Sequence, residues 1–116
     1  MADVTQRLII GISGASGVIY GIRALQLLRD TDVETHLVMS KSAEMTMGYE
    51  VDMKPSTVRE LADVAHAVGD VGASISSGSF KTTGMLVLPC SIRTMSEIST
   101  GVTSSLLSRA ADVVLK

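Results

Sequence analysis

Aromatic side chains are almost missing from this chain: one Phe, two Tyr and no Trp among 116 residues. Its core must therefore be aliphatic, drawn from Ile, Leu, Val, Ala and Met. Cysteine is nearly absent as well. Cys90 stands alone, which excludes an internal disulfide and leaves a Cys-based metal centre without partners. Histidine is limited to His36 and His66. The first falls mid-strand and the second at a helix end, so neither suggests a Cys–His pair. No Lys/Arg cluster stands out, and the formal net charge is −2. Nucleic acid and anionic membrane surfaces are poor partners for such a charge balance. No apolar run is long enough to cross a bilayer. The polar start, Met1-Ala2-Asp3-Val4-Thr5, lacks a signal-peptide core. These absences together lead us to expect a cytoplasmic, reduced protein with no membrane and no metal.

What is present is a globular balance, with 46% hydrophobic and 19% charged residues, organised as a single domain over residues 1–116. Arg7 to Ile12 is a short, mostly β-branched run, which suits a strand covered on both faces of a parallel sheet. Gly11-Ile12-Ser13-Gly14-Ala15-Ser16-Gly17 overlaps its end, and Val18 to Arg29 carries Ile22, Leu25 and Leu28 on one helical face. Val33 to Met39 reads as a second strand. Ser42 to Tyr49 reads as a helix, and Thr57 with Glu60 has capping-box spacing for another that runs on through Leu61 and Val64. Gly69 to Ser79 is a Gly/Ser-rich loop. Gly84 to Leu88 is a third strand, stopped by Pro89. Helices over Ser91–Ser99 and Thr103–Lys116 follow. Alternating strands and helices predict an α/β fold, a doubly wound parallel sheet in three α/β/α layers. Three strands are few for that architecture, and the last helix is followed by none. The simplest reading is a chain that stops early, against a small complete domain whose last helix frays.

Polar residues gather where the strands end. Ligands of open parallel sheets sit at the carboxyl ends of the strands. There the first turn offers glycines, Ser13, Ser16 and the N–H groups opening the next helix. It lacks the Lys of a P-loop and the G-x-G-x-x-G spacing. Pattern alone leaves an anion site and a plain tight turn both open. Ser40-Lys41-Ser42 follows the second strand and Cys90-Ser91-Ile92-Arg93-Thr94 the third. Each is individually a plausible set of helix caps, but their shared position suggests one pocket mouth. Cys90 is more simply a small apolar filler than a nucleophile. Glu50 and Asp52 could do acid–base work or merely end a helix in solvent. Arg109 and Lys116, seven apart on one helical face, could share a phosphate or simply face water.

Four segments in order resemble the UbiX-type flavin prenyltransferases. They are Arg7-Leu8-Ile9-Ile10-Gly11-Ile12-Ser13-Gly14-Ala15-Ser16-Gly17, His36-Leu37-Val38-Met39-Ser40-Lys41, Leu88-Pro89-Cys90-Ser91 and Arg109-Ala110-Ala111-Asp112-Val113-Val114-Leu115-Lys116. Within that family the chain looks most similar to members accompanying phenolic (hydroxyarylic) acid or ubiquinone-pathway decarboxylases. The resemblance implies a Rossmann-like, flavodoxin-like flavoprotein that assembles into a homo-oligomer, a dodecamer built from trimers. It implies transfer of a dimethylallyl group from dimethylallyl phosphate to N5 and C6 of reduced FMN, without a metal. The prenylated FMN then serves a UbiD-type decarboxylase.

Residue by residue, the resemblance gives Gly14, Ala15 and Ser16, Ser40, and Ser91, Ile92, Arg93 and Thr94 to FMN. It gives Glu50 to proton transfer at the reacting flavin edge. Lys116 goes to the prenyl phosphate across a subunit interface, and Ser77, in its serine loop, near that phosphate. An aliphatic, dry pocket is expected around the reacting carbon. Family members continue past Lys116 with further phosphate-binding residues, so a chain ending there is expected to bind phosphate poorly. Three other readings stand beside this one: an aromatic acid decarboxylase acting directly, an inactive flavin-binding fragment, and a flavin-dependent cysteine decarboxylase. The last uses an Asn-containing motif, and this chain has no Asn.

Overall fold

A computed structural model describes residues 6–116; the polar start at residues 1–5 lies outside them. Four parallel strands form one sheet in the order β3-β2-β1-β4. They are β1 (Arg7–Ile12), β2 (Glu34–Met39), β3 (Val64–His66) and β4 (Gly84–Val87). Helix α1 (Val18–Leu28) connects β1 to β2, α2 (Lys41–Glu50) and α3 (Pro55–Leu61) connect β2 to β3, and α4 (Ile92–Thr100) and α5 (Leu106–Leu115) follow β4. The chain winds from β1 outward to β2 and β3, then returns to the other side of β1 for β4. The reversal lies between β1 and β4, where open α/β sheets hold ligands.

The continuous apolar run of β1 is explained by its burial on both faces. Ile10 and Ile12, with Leu37 and Met39 of β2, pack under α1, α2 and α3 through Val18, Ile22, Leu25, Met47 and Val58. Ile9 and Val38 point to the other face, against Leu106, Leu107 and Ala110 of α5 and the short turn at Ile75. Three layers result, as the alternation of elements predicts.

Two expectations are corrected. The third helix begins at Pro55, with Lys54 as its N-cap and no side-chain cap bond. Proline is pre-set for the first helical position, and that outweighs the Thr57–Glu60 spacing. Val64 does not continue that helix. It opens β3, which makes the sheet four-stranded instead of three. This strand is short and largely exposed, so it carries no hydrophobic signature. Asp63 docks it: its carboxylate accepts from the Thr35 N–H at 2.7 Å, and its own N–H donates to the Thr35 hydroxyl at 3.0 Å.

His66, expected at a helix end, closes β3 instead and meets His36 of β2. His36 Nδ1 lies 2.9 Å from His66 Nε2, and His36 Nε2 lies 2.7 Å from Glu34 Oε1. Arg7 pairs with the same Glu34 oxygen at 3.2 Å, and Phe80 meets the His36 ring edge-on. The short His–His contact needs one nitrogen bare, so the pair holds one fewer proton than two free imidazolium ions. Burial, with His36 beside it, lowers the His66 pKa despite Asp70 nearby. The bond from His36 likewise holds the Glu34 carboxyl below its usual range. A histidine with a lowered folded-state pKa favours the folded state when neutral. Its stabilisation is present above about pH 6.5 and fades as the pH falls further. The urea midpoint is therefore expected to drop between pH 7 and 5.5, and His66→Gln to flatten that segment. Parallel curves for the two proteins would contradict the assignment.

Candidate functional site

All four strands end on the same side of the molecule, and a cleft of about 400 Å³ opens there. The tip of β1 contributes Gly14, the start of α2 contributes Ser40, Lys41 and Ser42, and the segment after β3 contributes Val68. From beyond β4 come Ser91, Arg93, Thr94 and Glu97, and from the start of α5 come Ser104 and Ser105. The proposed rim of strand tips is thus a single cavity.

Ser13 ties the two central tips together. It is fully buried; its hydroxyl donates to the Pro89 carbonyl at 2.7 Å and accepts the Ser91 N–H at 2.7 Å. The Leu88–Pro89 peptide is cis. Ser40 and Ser91 cap their helices, accepting from the N–H groups of Ala43 and Thr94. Capping does not exhaust them, since a hydroxyl that accepts still has an O–H to donate. Ser91 spends its O–H on Thr94 Oγ1 at 3.0 Å, which passes the outward donor to Thr94. α2 and α4 both open into the cleft, and their N-terminal dipoles favour an anion there.

The charge of the lining agrees. Lys41 and Arg93 face one carboxylate, Glu97, which Arg93 already pairs at 3.1 Å. Glu97 is held below the usual carboxylate range first by the Ser104 hydroxyl and then by Ser108 and Arg93. At Gly14 a Cβ would sit 2.3 Å from the Ser42 Cβ, so turn and helix are in direct contact at the cleft floor. Hydroxyls, helix N-termini and an excess of cations form a donor set suited to a phosphate monoester. Among the described residues, Val68 is the one aliphatic side chain in the lining, so they do not form the expected aliphatic wall.

Of the residues singled out from sequence, Gly14, Ser40, Ser91, Arg93 and Thr94 line the cleft. Ala15, Ser16 and Ile92 adjoin it without lining it. Glu50 takes the place we expected an anion to occupy. Its Oε1 accepts from Gly17 N–H at 3.0 Å and Val18 N–H at 3.2 Å, at the start of α1. Ser77 and Lys116 lie at the other end of the sheet. The loop beyond Ser77 shares a hollow with Lys81, Thr82 and Val113 near the start of β4. Lys116 pairs with Asp112 at 3.0 Å. One copy of the chain does not bring these two residues to its own cleft. Cys90 is exposed, and partial burial pushes its thiol pKa up, the wrong direction for a nucleophile. Among the described residues, no group of three or more His, Cys, Asp or Glu side chains could hold a metal ion, and no helix is long and apolar enough to cross a membrane. Sequence reasoning missed Glu97, Ser104 and Ser105.

The flavoprotein family pattern matches residues 2–116. The chain belongs to the flavoprotein family. This flavoprotein is 62% identical over 112 residues to the flavin prenyltransferase UbiX of Escherichia coli K12, covering 96% of its own length and 59% of that enzyme. It therefore spans about three fifths of the curated relatives it matches. Two solved structures share its fold closely. AnUbiX, crystallised with FMN and dimethylallyl pyrophosphate, superposes with a TM-score of 0.94 at 50% identity, over 96% of this chain and 59% of that one. A dodecameric FMN-dependent UbiX-like decarboxylase from Escherichia coli O157:H7 gives 0.93 at 49%, over 95% and 61%.

Proposed function

We propose that this flavoprotein binds reduced FMN in the strand-tip cleft and works as a flavin prenyltransferase. The dimethylallyl group of dimethylallyl phosphate is joined to flavin N5 and C6, phosphate departs, and the prenylated FMN goes to a UbiD-type decarboxylase. One observation carries the reading. Four strand tips converge on a hydroxyl-lined, net-cationic cleft in a chain that is 50% identical to a protein crystallised with FMN and dimethylallyl pyrophosphate.

Bound FMN would supply the nucleophilic ring atoms. The chain's own residues then have distinct tasks. Lys41 and Arg93 offset phosphate charge, and the hydroxyls of Ser40, Thr94 and Ser105 orient it. Ser13 keeps the tips of β1 and β4 in register, so that placement is set before the ligand arrives. Glu50 is assigned proton transfer through Oε2, while its Oε1 holds the start of α1. Ser77 and Lys116, at the far end of the sheet, are assigned to the cleft of a neighbouring copy. A homo-oligomer is then required, and the dodecameric relative supports one. A location in the cytoplasm accompanies this reading, on the strength of the single thiol.

The test is mass spectrometry of flavin recovered after incubation of the protein with reduced FMN and dimethylallyl phosphate. A flavin heavier by one dimethylallyl unit is expected; flavin returned unchanged would refute transfer. The dodecameric relative is described as a decarboxylase, so a second arm is run without any partner enzyme. Release of CO2 from a phenolic acid in that arm would favour direct decarboxylation.

A further inference from the structure

Glu97 presents a puzzle that the proposed function leaves open. A carboxylate lines a cleft otherwise suited to an anion. An acidic group there should repel a phosphate unless it does something else.

Its contacts show what that is. Oε1 accepts the Ser104 hydroxyl at 2.7 Å, and Oε2 accepts Arg93 Nε at 3.1 Å. The Glu97 main-chain carbonyl accepts the N–H of Gly101, which closes α4 in the left-handed region at φ +78°, and that of Val102 at 3.0 Å. Side chain and main chain together thus hold both ends of the 101–104 turn. On the other side, Ser105 is fixed by its reciprocal capping box with Ser108 at the start of α5. The cleft wall carrying Ser104 and Ser105 is suspended between Glu97 and that box.

Arg93 is the second dependent. Its side chain is 82% exposed while that of Glu97 is 15% exposed. An exposed i,i+4 pair of this kind contributes little to stability. Its consequence is orientation: a long cation that would otherwise sample solvent is held at the cleft through Nε alone, leaving its other N–H donors for a ligand.

We propose that Glu97 is a positioning residue that sets Arg93 and the Ser104–Ser105 wall to receive the phosphate of the bound ligand. The inference rests on the reading of the cleft as an FMN site. It goes beyond it by assigning the discrimination between a phosphorylated flavin and its dephosphorylated form to a residue of the opposite charge preference.

Fluorescence titrations of FMN and riboflavin against the wild-type protein, Glu97→Ala, Glu97→Gln and Ser104→Ala decide it. Glu97→Ala is expected to weaken FMN about tenfold, the size of a lost charge-assisted hydrogen bond, and to leave riboflavin within about twofold. Glu97→Gln retains an acceptor and is expected to recover most of the loss. Ser104→Ala should fall between, and it keeps the test alive should Glu97→Ala fold poorly. FMN binding to Glu97→Ala as tight as or tighter than wild type would overturn the proposal and leave Glu97 as a mere repellent. So would equal losses for both ligands, the mark of general disruption. Wild-type protein that binds neither flavin would refute the FMN reading instead. Amide exchange then judges Glu97: faster exchange at 101–105 in the Ala than in the Gln variant upholds it, and equal rates overturn it.

Discussion

Gly21→Ala is expected to destabilise the fold by about 1–2 kcal/mol, although alanine is the better helix former. Gly21 lies inside α1, where the substitution should gain about 1 kcal/mol from propensity alone. Against that, the new Cβ would sit 2.3 Å from the Leu88 carbonyl oxygen and 2.7 Å from Ile12 Cγ1. The first obstacle is backbone, so no rotamer change relieves it. Nor can the Leu88–Pro89 turn easily withdraw. Leu88 N–H is bonded to the Gly11 carbonyl at 2.8 Å, and Pro89 O takes both the N–H and the hydroxyl of Ser13. The helix must move off the sheet instead, and overpacking of that kind costs about 1–3 kcal/mol and sometimes more. A fall in melting temperature of roughly 10 °C should accompany it. Gly48→Ala is the control: it too lies within a helix, but nothing lies within 4 Å of the added carbon. It should stabilise slightly. FMN affinity should fall with Gly21→Ala as well, since the disturbed turn also carries Ser91. Equal denaturation midpoints for Gly21→Ala and wild type would show that the close approach relaxes freely.

The order of the first elements was legible because each rests on local pattern. β1 matches its expected bounds, and α1, β2, α2 and β4 fall within a residue or so of theirs. A buried β-branched run, a Gly-rich turn and an apolar stripe are all written in adjacent residues. β3 was not legible for the converse reason. Its three residues carry no pattern, and it exists because Thr35 and His36, about 30 positions earlier, receive Asp63 and His66.

The site divides the same way. Gly14, Ser40, Ser91, Arg93 and Thr94 were readable as polar residues at strand ends. Glu97 lies about one and a half turns into α4, and only the reversal at Gly101 folds Ser104 back onto it. A Gly in the helix-stop position and the Ser105–Ser108 spacing were the available signals. Ser77 came from resemblance alone, and Lys116 from resemblance beside its seven-residue spacing from Arg109. With Ser105 at the cleft, a ten-residue helix carries Lys116 about 15 Å away. That distance is why the role proposed for Lys116 calls for the cleft of a second copy.

Glu50 is where structure and chemistry make competing demands, and two substitutions separate them. Its Oε1 accepts two N–H groups at the start of α1, a helix whose own N-cap, Gly17, offers no side chain. A carboxylate there acts both as acceptor and as the anion that a helix N-terminus favours. Glu50→Ala removes both and should cost up to about 1 kcal/mol, less for the exposure of the site. Glu50→Gln keeps an acceptor oxygen and should unfold within about 0.5 kcal/mol of wild type. If helix capping were the whole of its role, the Gln variant would also prenylate FMN at a near-normal rate. A residue that carries a proton behaves differently, because an amide cannot take one up at neutral pH. Loss of a positioned acid–base group lowers turnover by about 10²–10⁴-fold, and both variants should show it. Single-turnover rates with saturating reduced FMN and dimethylallyl phosphate expose that difference directly, with chemistry separated from binding. A stable Gln variant that turns over poorly assigns Glu50 to the proton; a stable, active one confines it to holding the turn at Gly17.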